Sequence, residues 1–375
     1  METKQAGPLA FRLPKSEMAA VIKGPLGLQC SRLSPLAGIT PEVSGELSPA
    51  AGAVAKHPVF RTAASIMADP QLEIHSLKGG SSAASENFAV FGRPAAGGQG
   101  LASLHASEDA LLVLYFESPD DFIDWWVNQF AVKVHEPIAN LITPTLPLEV
   151  LMCLFHTIDS FRRAYIYSLL SYAPRQELFI SKAEFLDSMG AALRSKDTRW
   201  LLPALFALTP GLGGGSLNLL PDHLDYIENM GFIRRAKSPG SGEEIFKFGY
   251  KGTSIGTEFC FTWLSSLGWE ASVLDESTRR SLSIHFLAQT AISNHLFTLK
   301  KNQDGSFNSD HQPLVFDQLK EKMSEWLKVT IKEAAGNQAA AAIPAASAKP
   351  SCPKCGVSIE AGAKFCTECG TPLKS

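Results

Sequence analysis

Apolar residues along this chain follow two patterns, alternation with polar neighbours and a spacing of three to four, each punctuated by proline and glycine. The first fifteen residues, with Pro8 and Pro14, read as a loose leader. From Ser16 to Ile66 short helical pieces alternate with breakers such as Gly24-Pro25, Pro35 and Pro49, and Ala50 to Met67 is helix-compatible apart from Pro58. Past Pro70 the period changes. Leu72, Ile74 and Leu77 predict a strand, and Phe88 to Phe91 a second. Leu101 to His105 and Leu111 to Phe116 predict a hairpin turning at Ser107-Glu108-Asp109. Ser118-Pro119-Asp120-Asp121 then supplies an N-cap, proline at the first helical position and two carboxylates beside the positive end of a helix. Phe122, Trp125, Trp126 and Phe130 follow on one face of that helix, which is expected to pack on the sheet just described.

A joint with Pro144 and Pro147 opens a long helix from Leu148 to about Leu170. Ser181-Lys-Ala-Glu184 is a capping box for the next, and further helices are expected near Arg199 to Leu208 and from Pro221 to Met230, the last ended by Gly231. Phe232 to Arg235 and Ile245 to Phe248 read as paired strands across a Pro239-Gly-Ser-Gly242 turn. Strands at Leu282 to Phe286 and His295 to Leu299 precede a helix placed from Pro313, carrying Trp326. Strands followed by a proline-started, tryptophan-bearing helix thus occur twice. The expected class is α+β, with two similar sheet-plus-helix halves. Residues 1–15 form the leader, 16–140 and 141–333 the two α+β domains, 334–350 an alanine-rich flexible linker and 351–375 a separate C-terminal unit. The linker would reach a little over ~20 Å. The two-halved layout is loosely similar to the chaperones of type VII secretion, with no shared motif.

The C-terminal unit carries the sharpest chemistry. Cys352-Pro-Lys-Cys355-Gly and Cys366-Thr-Glu-Cys369-Gly are two C-x-x-C knuckles. Four thiolates suit the tetrahedral shell of one structural Zn²⁺, and Gly356 and Gly370 let each knuckle turn back sharply. A unit this small has almost no core, so metal binding would supply most of its folding energy. Paired disulfides are the alternative, and they suit poorly a chain whose first residues show no secretory signal. With Phe365 as hairpin plug, the spacing resembles the short zinc-ribbon module appended to many bacterial proteins. That resemblance covers about the last 25 residues and implies an interaction module.

Residues 180–259 resemble a winged helix: a capped helix, a second, a third ending in Met-Gly-Phe-Ile-Arg-Arg, then a two-stranded wing. Arg234, Arg235, Lys237 and Lys247 on the wing are candidate phosphate contacts, with Lys251 beside them. The would-be recognition helix opposes that use, because Asp222, Asp225 and Glu228 would repel phosphate. Protein contact is favoured over DNA.

Composition narrows the rest. A formal charge of −3 gives no global attraction to nucleic acid or to anionic lipid. The most apolar stretch, Leu141 to Phe155, is broken by Pro144, Pro147 and Glu149, so no membrane span is expected and the chain reads as cytoplasmic, while the ribbon resemblance implies a bacterial protein. Cys153 and Cys260 read as inert core thiols, and the histidines as singly placed. Gly211-Leu-Gly-Gly-Gly215 lacks the Lys-Ser/Thr of a phosphate loop and reads as an inter-helix loop. The expected function is a non-enzymatic adaptor or scaffold that binds protein partners and presents a tethered zinc ribbon. The alternative is a winged-helix DNA-binding regulator.

Overall fold

The computed structural model describes residues 7–39, 47–80, 86–94, 100–136, 140–142, 145–172, 177–213, 220–275 and 278–342. In the first half β1 (Leu9–Pro14) leads into α1 (Lys15–Lys23), α2 (Pro49–Lys56) and α3 (Pro58–Ala68). An antiparallel meander follows, β2 (Leu72–Gly80), β3 (Glu86–Gly92), β4 (Leu101–Ala106) and β5 (Ala110–Phe116), and then α4 (Pro119–Phe130). The second half repeats this plan with a long insertion. It starts at β6 (Thr145–Pro147) and α5 (Leu148–Leu170). The insertion holds β7 (Phe179–Ser181), α6 (Lys182–Arg194), α7 (Leu201–Leu208), a 3-10 turn (Pro210–Leu212), α8 (Pro221–Asn229), β8 (Ile233–Lys237), β9 (Glu244–Phe248) and α9 (Tyr250–Thr262). A second meander closes the body: β10 (Trp263–Asp275), β11 (Thr278–Thr290), β12 (Asn294–Lys301) and β13 (Phe307–Leu314), then α10 (Phe316–Ala342).

The two meanders meet at their first strands. β2 and β10 pair antiparallel from Leu72↔Val273 to Gly80↔Ser265. The ten-stranded sheet therefore runs β1-β5-β4-β3-β2-β10-β11-β12-β13-β6, an approximate twofold about its centre. The class is α+β, with two similar sheet-plus-helix halves. Helices cover both faces, so strands such as Leu111-Leu-Val-Leu114 are apolar on both sides. α4 and α10 lie together on one face, over Ile74, Val90, Trp269 and Leu287. Lys320–Asp124 at 2.7 Å and Lys328–Asp120 at 2.9 Å tie the two helices. On the opposite face α1 to α3 cover the first half and α5, α7 and α9 the second.

Three expectations change. Residues 9–14 of the expected leader form β1, in register from Leu9↔Tyr115 to Pro14↔Ala110. Its alternation puts Leu13 in the core and Phe11 against Phe60 at 5.5 Å, while Pro14 falls at the strand end, where a missing N–H costs little. Pro313 does not start the last helix. It lies in β13 opposite His295, beyond the stretch that β6 pairs, and the helix begins at Phe316. The alanine run from Ala334, read as linker, continues α10 to Ala342, and Ala334 is buried on the sheet. Alanine loses no side-chain entropy on becoming helical, so a docked helix propagates through it.

Gly268 sits where α7 crosses the sheet. A Cβ there would collide with the Leu208 carbonyl. Gly268→Ala is expected to cost about 3 kcal/mol, the upper end for overpacking a tight core. Urea unfolding of the variant at the wild-type midpoint would contradict this close approach.

Buried α5 carries His156, whose Nε2 donates to the Phe185 carbonyl at 2.8 Å while the ring packs edge-on against Phe185. Burial lowers its pKa to about 4, so the folded imidazole is neutral. The unfolded chain takes up that proton near pH 6.5, hence acidification from 6.5 to 4 favours unfolding, by about 3 kcal/mol from this group. His156→Leu should flatten that part of the stability profile. Urea titrations at steps between pH 7 and 4 would show an unchanged slope if the argument were wrong.

Candidate functional site

The inserted segment is anchored through α5. Asp159 accepts the amide protons of Leu201 and Leu202, both at 3.0 Å, at the N-terminus of α7, where a carboxylate also complements the dipole. Arg162 Nη1 donates to the same carboxylate at 3.1 Å, and its guanidinium lies over the rings of Trp200 at 4.8 Å and Trp263 at 4.3 Å. Burial pushes the Asp159 carboxyl up, against the opposing pull of Arg162 and the two amides. This clamp joins α5, α7 and the first strand of the second meander.

Beyond it the described chain runs through α6, α7 and α8 into the β8–β9 hairpin, the order of helices and paired strands that the sequence predicts. Ser181 Oγ accepts from the Glu184 amide at 3.1 Å and caps α6. β8 and β9 form the wing hairpin, and β7 adds on the far side of β9. Three of the wing's cations meet carboxylates of the same segment. Arg234 pairs with Glu177 at 2.8 Å and Lys247 with the same residue at 2.6 Å. The hydrogen bond from Lys247 holds the Glu177 carboxyl below its ordinary range. Arg235 pairs with Asp225 and, at 3.4 Å, with Glu228 of α8. Lys237 is exposed at the end of β8, and Lys251 lies 6.0 Å over the Phe232 ring. Of the wing's cations, Arg235 thus meets acidic α8, while Arg234 and Lys247 are both neutralised by Glu177 just ahead of β7.

A different surface has no such internal partner. The last turns of α5 run past the body, leaving Ile166, Tyr167, Leu169 and Leu170 exposed, and Tyr172 94% exposed. Tyr172 has φ +50°, a left-handed conformation rare for a bulky residue, with its amide donating to the Leu169 carbonyl at 3.2 Å. Beside the tip lies a groove of about 580 Å³, lined by Ile166, Tyr167, Leu170, Phe179, Ile180 and Trp200. No charged residue occurs between Ala164 and Tyr172. That lack of charge is a sequence signal for the tip, but periodicity alone cannot separate it from core helix.

Elsewhere, chemistry-bearing residues are buried. His295 Nε2 lies 2.8 Å from Glu258 Oε1 and its Nδ1 3.1 Å from His311 Nε2, a chain spanning α9, β12 and β13 that nothing local in the sequence announces. Burial, and then the neighbouring His295, lower the His311 pKa. Burial pushes the Cys153 thiol up to about 12, as its apolar setting predicts. Cys260 is only half-buried, less enclosed than expected. Gly211 of the glycine run is held in place, its amide donating to buried Glu270 at 2.5 Å. Among the described residues no group of three or more His, Cys, Asp or Glu is arranged to hold a metal, and no helix is long and apolar enough to cross a membrane. Cys352, Cys355, Cys366 and Cys369 lie outside the described residues, so their fit to zinc rests on the donor set. Four soft thiolates in two tight knuckles match that ion.

No curated protein matches the chain. A solved structure of the Mycobacterium tuberculosis type VII secretion system chaperone EspG5, in complex with the PE25-PPE41 dimer, aligns over 84% of this chain and 94% of its own, with 8% identity and a TM-score of 0.35. A likeness at that level carries no argument about function. The C-terminal resemblance is firmer: residues 351–373 match the zinc-ribbon domain family, and the matched span contains all four cysteines of the two knuckles.

Proposed function

We propose that this chain is a non-enzymatic adaptor or scaffold that engages protein partners through a zinc ribbon presented beyond its α+β body. The ribbon match at residues 351–373 carries the proposal. One Zn²⁺ held by Cys352, Cys355, Cys366 and Cys369 would fold the module, and those thiols stay reduced in a cytoplasm. Helix α10 is described as far as Ala342, and the alanine, serine and proline among residues 343–350 suit a spacer. The pairing of Arg234, Arg235 and Lys247 with Glu177, Asp225 and Glu228 supports protein contact over DNA, since a phosphate would first have to displace those carboxylates.

The test is affinity capture from the native host with the full chain and with its Cys352→Ser/Cys366→Ser variant. Partners retained by the wild type and lost by the variant are expected. Identical partner sets would remove the ribbon from the function. Salt-dependent retention on DNA, abolished by Arg234→Ala/Arg235→Ala, would instead establish the regulator reading.

A further inference from the structure

The α5 tip has the composition and shape of a self-association surface. Taking about 200 Å² for a fully exposed residue of this size, Ile166, Tyr167, Leu169, Leu170, Tyr172 and Phe179 together expose on the order of 700 Å², tyrosine hydroxyls and main chain included. The largest apolar patch of an ordinary monomer is about 300–600 Å². A stable interface covers about 800 Å² per partner. The exposed area is therefore at or above the top of the monomer range and close to what one complete interface needs.

Shape selects the occupant. An isologous contact requires that one surface carry both a projection and a recess, so that residue i of one copy meets residue j of the other and the reverse. The tip meets that requirement. Leu169 and Tyr172 project, while Ile166, Tyr167 and Leu170 form one wall of the adjoining groove, with Phe179, Ile180 and Trp200 completing it. A groove of about 580 Å³ has room for a leucine and a tyrosine side chain. Charge agrees with shape. Across a twofold axis every residue near the axis faces its own copy, so a central charge would face a like charge. The tip is uncharged from Ala164 to Tyr172, and the two charged residues that line the groove, Arg163 and Glu184, are of opposite sign, so each can meet the other's counterpart across the axis. A mostly apolar patch with a few polar groups is the ordinary anatomy of a protein interface.

We infer that the protein forms a twofold dimer in which the Leu169–Tyr172 ridge of each α5 fills the groove beside α5 of the other copy. Tyr172, at the end of the helix and 94% exposed, supplies a large aromatic side chain to this ridge. The ribbon plays no part in the contact, so the dimer stands or falls apart from the adaptor reading. Two copies would present two ribbons and raise avidity for any partner with repeated sites.

Sedimentation velocity of the full chain across a hundredfold concentration range tests this directly. A concentration-dependent dimer is expected, with its dissociation constant raised about 100-fold by Leu169→Asp/Tyr172→Asp. Val329→Asp, at an exposed apolar position on the opposite face, should leave it unchanged. Both altered tip residues are solvent-facing, so circular dichroism should show the double variant folded. Hydrogen exchange of the wild type supplies a readout without substitution, through amides 166–172 that gain protection as concentration rises. A chain that stays monomeric throughout the range, or a dimer indifferent to the double variant, overturns the inference.

Discussion

Replacing Cys366 with serine is expected to take the protein from about one bound zinc per chain to essentially none, while the body unfolds at its usual temperature. Structural zinc in such small modules is bound with an apparent free energy of about 10–16 kcal/mol, nearly all of it also folding energy for the module. Disturbing merely the groups that hydrogen-bond to a ligand lowers metal affinity by about 10–100-fold, so losing a thiolate outright must cost more. The body should not register the loss, because its last described helix is fixed by Leu319, Met323, Leu327 and Ala334 well before the first knuckle. Elemental analysis after dialysis against a moderate chelator, paired with a thermal melt, separates the two parts. Equimolar zinc in the variant would mean that Cys366 is not a ligand. A wild type free of zinc, with its thiols already oxidised to one another, would restore the disulfide alternative.

The elements that could be read from sequence are those whose local signals agree. Ser118 and Ser181 cap the helices they announce, each accepting an amide at 3.1 Å. The β4–β5 hairpin turns at the expected residues, and α5 begins at the expected Leu148. What escaped was the stretch from Tyr250 to Asp275, which forms α9 and the long central strand β10. Gly252, Gly256 and Gly268 look like breakers in the sequence. In the fold they are points of contact, where a Cβ would strike the Phe232 carbonyl, the Phe161 ring and the Leu208 carbonyl respectively. A glycine that admits a neighbouring backbone and one that ends a helix are the same letter. The β2–β10 pairing that unites the halves joins residues nearly two hundred positions apart, beyond the reach of any local pattern. Site chemistry divides in the same way. Cysteine spacing is local and legible, whereas the pairing of Arg234 and Lys247 with Glu177 depends on β7 arriving beside β9.

Among substitutions in the body, Asp159→Asn is expected to be the most damaging, lowering stability by about 3–5 kcal/mol, the usual cost of breaking a buried ion pair on one side. The carboxylate has three donors at once: the amides of Leu201 and Leu202 and the Arg162 guanidinium. Asparagine keeps the size and one acceptor but presents an amide group to the other donors. Arg162 would remain charged between Trp200 and Trp263, with a side chain only 11% exposed and no counter-ion. Removing the arginine as well should therefore recover part of the loss, so Asp159→Asn/Arg162→Met is expected to be more stable than Asp159→Asn alone. Urea midpoints for the four members of that double-mutant cycle give the coupling directly. Additive single effects would show that the pair is packing around an already satisfied carboxylate. Strong coupling, together with faster amide exchange at Leu201 and Leu202, would show that α7, and the whole inserted segment it leads into, hangs from one buried charge on α5.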